Sequence, residues 1–554
     1  MNKITIIPGV LVLIVVGSAV LLGLSPRVSK LQQTVSIASI SGVVKDTAGN
    51  PVRGVAVTAT SGFKSVSRFT DPAGQYKIRD LKPGQYVVSA RAWGFARQQS
   101  AQEISRDTEI DFRIEPDWNV AQLTTTDWLS FLPEEKDVLA LEGSCVGCHN
   151  LNRPVGLRGR TAKEWKDLIA AMESRGMPHF PEARVARIGA ILEKYFGPHS
   201  QLPTRERTRR PAIADAVLQA TFREYATPTK GMPLSLTVDA KGNAWFDEGN
   251  INKIGRFDTN TETFQEYPIP TPKAGPHTLV VGQDGRVWIT MASSNQLSVL
   301  NPQTGKITEY KPETSGAPHI PAVDSAGNVW YTDNRANSLW RFDPRTEKFQ
   351  EYKVPVPETY PPESIVAITA VPGLPPMPYE IRTYGIAIDS HDKVWFCEYA
   401  LGKITRFDPT TEKFTQYPVP GISSLRGLDI DKGGNLWFGN FLGHKLGKLN
   451  TNTGKMQQFQ PPTRHAAPYG VLVAKDGTVW FTDSAGNQVT SFNPKTEAFV
   501  EYPLPTPDPT IRFMGQDPAG RIWFAENIAG KIGSIEPGRV TRASAKASER
   551  TTGR

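Results

Sequence analysis

The stretch EGSCVGCHNL, from Glu142 to Leu151, spaces two of the chain's three cysteines as Cys-x-x-Cys with a histidine directly behind them. Cys145, Cys148 and His149 could serve as a redox dithiol, as half of a zinc site, or as an attachment point for haem. Zinc wants four ligands, but no second cysteine pair exists and Cys397 lies far away in a strand pattern. A thioredoxin-like dithiol belongs at a strand-to-helix junction, and none surrounds Cys145. Covalent c-type haem fits best: both thiols add to the porphyrin vinyl groups, and His149 supplies the proximal nitrogen to iron.

The elements that follow must position that group. In RTAKEWKDLIAAMESRGMPHFPEARVARIGAILEKYFGP, Trp165, Leu168, Ile169 and Met172 share one helical face, Gly176 and Pro178 break the chain, and Ile188, Ile191, Leu192 and Tyr195 form a second amphipathic helix. This helix, Gly-Met-Pro loop and helix resemble the end of a class I cytochrome c, over roughly residues 124–200. The resemblance implies one covalent haem c, with His149 and a loop methionine as iron ligands. Met177 is the expected distal ligand, ahead of Met172 and His179; the position of Met172 on an apolar face suits core filling.

From Thr221 onward the chain repeats. Trp245, Trp288, Trp330, Trp395, Trp437, Trp480 and Trp523 recur at spacings of 43, 42, 65, 42, 43 and 43 residues. Each unit reads as four short strands, so residues 219–538 are expected to form a seven-bladed β-propeller. The segment Phe222–Tyr225 precedes the first unit, and the last unit lacks its own outer strand; the first strand therefore closes the ring.

Two rings of side chains follow from the blade pattern. Eleven residues before each tryptophan stand Leu234, His277, His319, Tyr384, Arg426, Tyr469 and Arg512, at the entrance of the innermost strand. Three residues after it stand Glu248, Met291, Asp333, Glu398, Asn440, Asp483 and Glu526. The first ring is a polar site suited to an anionic or carbonyl ligand, with His277, His319, Tyr384, Arg426, Tyr469 and Arg512 as candidate catalytic residues. A wet funnel mouth that tolerates any polar residue would look similar.

The repeat wording, of the form DG-x-VWFTE…NKIGRFDP…FQEYPIP, resembles the virginiamycin B lyase family over about 320 residues. The resemblance implies a lactone-opening elimination with an axial histidine and a magnesium ion held by glutamates, and a family motif Glu-Pro-His. Here the matching tripeptides are Gly275-Pro276-His277 and Ala317-Pro318-His319, so the Pro-His is kept and the glutamate is missing. Asp333, Glu398 or Glu526 would then have to hold any Mg or Ca ion at the funnel. The fourth repeat also carries an insertion, PETYPPESIVAITAVPGLPPMPYEIR, expected on the funnel face as a lid or docking surface.

The remaining chain frames these modules. Residues 36–116 alternate strands with Gly-Asn-Pro, Pro-Ala-Gly and Lys-Pro-Gly turns, which predicts a sandwich of short antiparallel strands. This stretch resembles the carboxypeptidase regulatory-like domain, a spacer or adhesive module that in some members is carbohydrate-binding-like. Residues 1–30 contain an uncharged run from Ile4 to Leu24 flanked by Lys3, Arg27 and Lys30, which reads as a signal peptide or a single membrane anchor of an exported, periplasmic protein. Residues 201–218 read as a basic linker and 539–554 as a basic tail. The net charge of +8 is concentrated in these two segments, with no basic face carrying interleaved aromatics, so nucleic acid is not an expected partner.

The expected fold is thus mostly β and multidomain: an N-terminal β-sandwich, a small α-helical cytochrome c-like domain and a C-terminal seven-bladed propeller. Three functions compete. One is haem-based electron transfer with a small-molecule substrate or redox partner protein at the propeller; the others are lyase-type elimination and a non-catalytic binding scaffold. Covalent haem is a costly cofactor that elimination does not need, which favours the first.

Overall fold

An aspartate six residues before the tryptophan explains why most repeats turn where they do. Asp239 Oδ1 accepts the amides of Lys241 and Asn243, and Oδ2 accepts the Trp245 indole N–H at 3.0 Å. Asp324, Asp389, Asp431 and Asp517 hold Trp330, Trp395, Trp437 and Trp523 in the same way, at 2.8 to 2.9 Å. One carboxylate therefore closes the turn between the first two strands and locks the buried ring at the blade centre.

The computed structural model describes residues 37–146, 150–151, 156–173, 180–201, 203–204, 210–314, 316–335, 337–355 and 383–538. Blade 1 comprises Pro233–Val238, Asn243–Glu248, Lys253–Asp258 and Thr263–Pro268, hydrogen-bonded in that order. Blades 2 to 6 repeat the plan, with innermost strands at Pro276–Val281, Pro318–Val323, Thr383–Ile388, Leu425–Ile430 and Pro468–Val473. Blade 7 supplies Ile511–Gln516, Ile522–Glu526 and Lys531–Glu536, and its outermost strand is Thr221–Ala226, from ahead of blade 1. Lys531 pairs with Ala226 and Glu536 with Thr221, so the ring closes as the repeat count requires.

The sandwich differs from the expectation in two respects. Its first sheet is not wholly antiparallel: Ala38–Asp46 pairs antiparallel with Gln75–Leu81 but parallel with Thr108–Glu109 and Phe112–Ile114. Its second sheet runs Lys64–Phe69, Ala56–Ser61, Gly84–Arg91, Gln98–Ile104, and does not end at its edge. Lys64–Phe69 pairs with the closing strand of blade 7, Lys64 opposite Tyr225 and Ser67 opposite Phe222, giving one eight-stranded sheet across both domains. Two exposed edges are satisfied by each other, and Lys64 adds an ion pair to Glu262 at 2.5 Å.

The helical module contains Thr125–Phe131, Glu135–Leu141, Ala162–Glu173 and Glu182–Phe196, with a π-helical turn at Glu142–Val146. Trp165, Ile169, Ile188, Ile191, Leu192 and Tyr195 are buried, and Leu168 and Met172 pack beside them, as the periodicity predicts. This apolar cluster continues without a break into blades 3 to 6 through Tyr384, Tyr399, Leu401, Phe441, Leu442 and Tyr469. The module is therefore seated on the propeller. The expected linker is partly structured as well. Arg210 binds the buried Asp127 carboxylate, and a short helix, Asp215–Gln219, buries Val217 and Leu218 in an apolar cluster shared by the sandwich and blades 6 and 7. A basic segment is anchored here because its arginine meets a desolvated acid.

Cys148, His149, Met177, His179, the insertion of the fourth repeat, and residues 1–36 and 539–554 lie outside the described residues.

Candidate functional site

Every innermost strand carries a β-bulge at its entrance. The pairing with the tryptophan strand slips between Pro233 and Leu236, Pro276 and Thr278, Pro318 and Pro321, Thr383 and Ile386, Leu425 and Leu428, Pro468 and Val471, and Ile511 and Met514. The first-ring residues Leu234, His277, His319, Tyr384, Arg426, Tyr469 and Arg512 sit inside these bulges. A bulge re-aims a side chain out of the regular alternation, here towards the propeller axis. Four of these positions are then pinned from the neighbouring blade. Thr290 Oγ1 donates to the His319 carbonyl at 2.6 Å, Thr332 Oγ1 to that of Tyr384 at 2.7 Å, and Thr482 Oγ1 to that of Arg512 at 2.6 Å. Cys397 takes the same role towards the Arg426 carbonyl at 3.3 Å, so the third cysteine is a buried positioning group.

The ring residues converge. The imidazoles of His277 and His319 stand 4.2 Å apart, and His319 stands 4.2 Å from the ring of Tyr384. The Tyr384 and Tyr469 hydroxyls are hydrogen-bonded across the axis. The Arg426 guanidinium lies over four rings: Tyr399 at 3.9 Å, Phe441 at 4.7 Å, Tyr384 at 5.1 Å and Tyr469 at 5.4 Å. Its Nη2 donates to the Tyr399 hydroxyl at 3.2 Å. Arg512 approaches Tyr469 at 5.3 Å. His319, Tyr384, Arg426 and Tyr469 are buried and form the floor; Leu234, His277 and Arg512 are half-buried and form the mouth, on the side of blades 7, 1 and 2.

Burial, reinforced by the Arg512 charge, lowers the His277 pKa to about 4, and burial beside His277 holds His319 well below the ordinary imidazole range. Both rings are therefore neutral near pH 7 and able to accept a proton. Burial and the Tyr469 neighbour push the Tyr384 phenol well above its usual value, so it stays protonated. The site combines fixed positive charge from arginine with neutral bases and hydroxyl groups.

The second ring is placed differently from the expectation. Glu248, Met291, Asp333, Glu398, Asn440, Asp483 and Glu526 are all buried within their own blades. The register sets each opposite the residue before the bulge, as in Pro318 with Asp333 and Pro468 with Asp483. Two of the acids there serve the backbone: Asp333 accepts the Ala317 and Arg335 amides, and Asp483 those of Ala467 and Gly486, at 2.9 to 3.0 Å. Glu398 accepts from Thr405 and from Gln416 at 2.6 Å. Among the described residues these acids form no group of three ligand atoms close enough to share an ion.

Tyr399 and Phe441 are site residues that sequence reasoning missed. Both stand four residues after the tryptophan, where the other blades have Gly249, Ala292, Asn334, Ser484 and Asn527. Two aromatics in a slot otherwise small or polar were the available signal.

Residues 202–372 and 377–549 match the virginiamycin B lyase family, and residues 39–115 match the carboxypeptidase regulatory-like domain. The chain belongs to the virginiamycin B lyase family. Among solved structures, a streptogramin B lyase superposes with a TM-score of 0.52 at 24% identity, covering 58% of this chain and all of that one. A catalytically inactive histidine variant of virginiamycin B lyase from Staphylococcus aureus with quinupristin gives 0.50 at 23% identity, over 57% of this chain and 99% of that one. At this identity the likeness shows the family's propeller fold. No curated protein matches the chain. The propeller is thus of a binding or catalytic type, extended here by the sandwich and the helical module.

Proposed function

We propose that this is an exported, periplasmic electron-transfer protein. In this reading a haem held covalently by Cys145, Cys148 and His149, with Met177 as the expected distal ligand, works beside a propeller site that binds a small anionic or carbonyl compound. The observation that carries the binding reading is Arg426, a guanidinium only 3% exposed whose neighbours are aromatic rings rather than a carboxylate. A buried charge without a counter-ion among the described residues favours a ligand that brings negative charge or a polarised oxygen. Arg512 at the mouth adds to the attraction, and His277 and His319 stand ready to take a proton from a bound hydroxyl or activated C–H group.

The described residues of the helical module fit a haem. Cys145 is half-buried and packs against the module's apolar cluster, close enough to the Arg184 guanidinium for the two groups to interact electrostatically. Trp128 Nε1 and Trp165 Nε1 are buried there without a hydrogen-bond partner among the described residues, as donors facing an absent acidic group would be. When bound, haem would supply one-electron chemistry. Arg184 is also within electrostatic reach of Tyr399, the ring that stacks on Arg426, so the module and the axial floor share a boundary.

The neutral His277–His319 pair also favours a second reading, proton abstraction in a lyase-type elimination. One experiment separates the two. Candidate lactones, alcohols and aldehydes are added to oxidised protein while the haem spectrum and product are followed together. Reduction of the haem supports electron transfer; product at constant redox state supports elimination; neither response in any member of the panel contradicts both.

A further inference from the structure

A second buried cluster joins the helical module to the propeller, away from the axial ring. Glu142 precedes Cys145 on the π-helical turn, while His444 and His465 lie in loops of blades 5 and 6. Glu142 Oε1 stands 3.4 Å from His444 Nε2 and 3.5 Å from His465 Nδ1, and one ligand atom of each residue lies within 4.8 Å of the others. Glu142 and His465 are each 3% exposed.

The hydrogen bonding does not account for this arrangement. His444 Nδ1 meets the Ala466 carbonyl at 3.0 Å, and a carbonyl can only accept, so Nδ1 carries the hydrogen. A neutral ring would turn the lone pair of Nε2 towards a carboxylate oxygen, whereas, against the cost of burial, the Glu142 carboxylate favours the protonated ring and raises its pKa. Neither oxygen of Glu142, nor His444 Nε2, nor either nitrogen of His465 has a hydrogen-bond partner among the described residues. Burying one carboxylate against two imidazole lone pairs is costly unless both rings are charged or a cation lies between them. Tetrahedral ligands about 2.0–2.1 Å from a zinc-like ion stand about 3.3 Å apart, close to the two measured separations. A backbone carbonyl fixing the far nitrogen of a ligating histidine is a common support for such sites.

The repeat isolates the two histidines as substitutions. His444 occupies a left-handed turn slot, φ 57°, which the other blades fill with Asn252, Asn295, Asn337, Gly402, Asn487 and Gly530. His465 is likewise left-handed, φ 57°, where blades 1 and 2 carry Lys230 and Lys273. This backbone conformation costs a side chain with a Cβ about 1 kcal/mol. A cavity of about 200 Å³ between Glu135, Leu139, Ile422, Leu442 and His444 reaches the cluster from outside.

We propose that Glu142, His444 and His465 bind one divalent transition-metal ion of the zinc class, clipping the helical module to blades 5 and 6. Two imidazoles and a carboxylate leave a fourth position for water or an external ligand. The proposal does not depend on the haem or on the axial site.

The test uses the full-length protein, stripped with a chelator, re-supplied with Zn²⁺ and desalted. Zinc analysis is blind to haem iron. About one equivalent of zinc should be retained and should raise the thermal midpoint. Glu142→Gln, His444→Asn and His465→Lys should each weaken zinc binding at least about a hundredfold, beyond the loss expected from a supporting partner. His444→Asn restores the residue of four other blades, so its zinc-free midpoint and circular dichroism should match the wild type. Zinc well below one equivalent in the wild type, or variants that bind as tightly as wild type, would overturn the proposal.

Discussion

His277→Gln tests the electrostatics of the axial site without knowledge of its ligand. The folded protein holds the His277 pKa at about 4 by burial and the Arg512 charge, against 6.5 for an unperturbed imidazole. Between those limits the unfolded chain binds a proton that the folded chain refuses. Stability present above about pH 6.5 is therefore lost as pH falls towards about 4. At about 1.36 kcal/mol per pKa unit, lowering the pH from about 7 to about 4.5 should cost the wild type about 2.5 kcal/mol through this residue. Glutamine keeps a polar side chain of similar reach and cannot take up the proton. Equilibrium urea unfolding at both pH values, followed by tryptophan fluorescence, gives the two stabilities. The variant should lose about 2.5 kcal/mol less than the wild type between them. Equal losses in the two proteins would refute the desolvated, neutral state of this imidazole.

Glu248 should behave with the opposite sign. Its pKa is raised to about 7 by burial and then by Glu266, so the folded state pays for the charged form at high pH and recovers as pH falls below 7. Glu248→Gln should stabilise the protein by up to about 3 kcal/mol near pH 8 and by almost nothing below about pH 4.5, measured by the same unfolding assay. Asp137→Asn should destabilise the helical module by about 3 kcal/mol, because the buried carboxylate answers Arg187, Lys194 and the Tyr195 hydroxyl; the loss should appear as faster amide exchange in Glu135–Leu141 and Glu182–Phe196. Ser65→Pro removes a ladder amide where the sandwich pairs with Glu224 of the closing strand. It should cost about 3 kcal/mol and expose Thr221–Ala226 to exchange while blades 2 to 5 stay protected.

The propeller was legible because its signals recur. Seven tryptophans at near-constant spacing announce the blades, and the ring residues at a fixed offset converge because every innermost strand bulges at the same place. Local reasoning succeeds where one geometry is repeated seven times. It misplaced the second ring, since facing the axis or the blade interior depends on cross-strand register, which puts Asp333 opposite Pro318 and beneath the Ala317 amide. The pairing of Lys64–Phe69 with Thr221–Ala226 could not be read either, because two edges of unrelated sequence meet only after both domains have formed. Arg210 shows the same limit: a charge run reads as solvated until its partner Asp127, far away in sequence, is seen to be buried. The Glu142–His444–His465 cluster likewise unites residues from distant stretches, yet His444 in an asparagine and glycine slot was visible as an exception to the repeat.

The proposed electron transfer requires covalent haem, and one measurement reaches it. Full-length protein from a cytochrome-maturing host is extracted with acid–acetone, and the polypeptide is examined for Soret absorption beside a Cys145→Ala/Cys148→Ala variant. The wild type should keep the band and the variant should lose it. A wild-type polypeptide left without Soret absorption would contradict the electron-transfer reading.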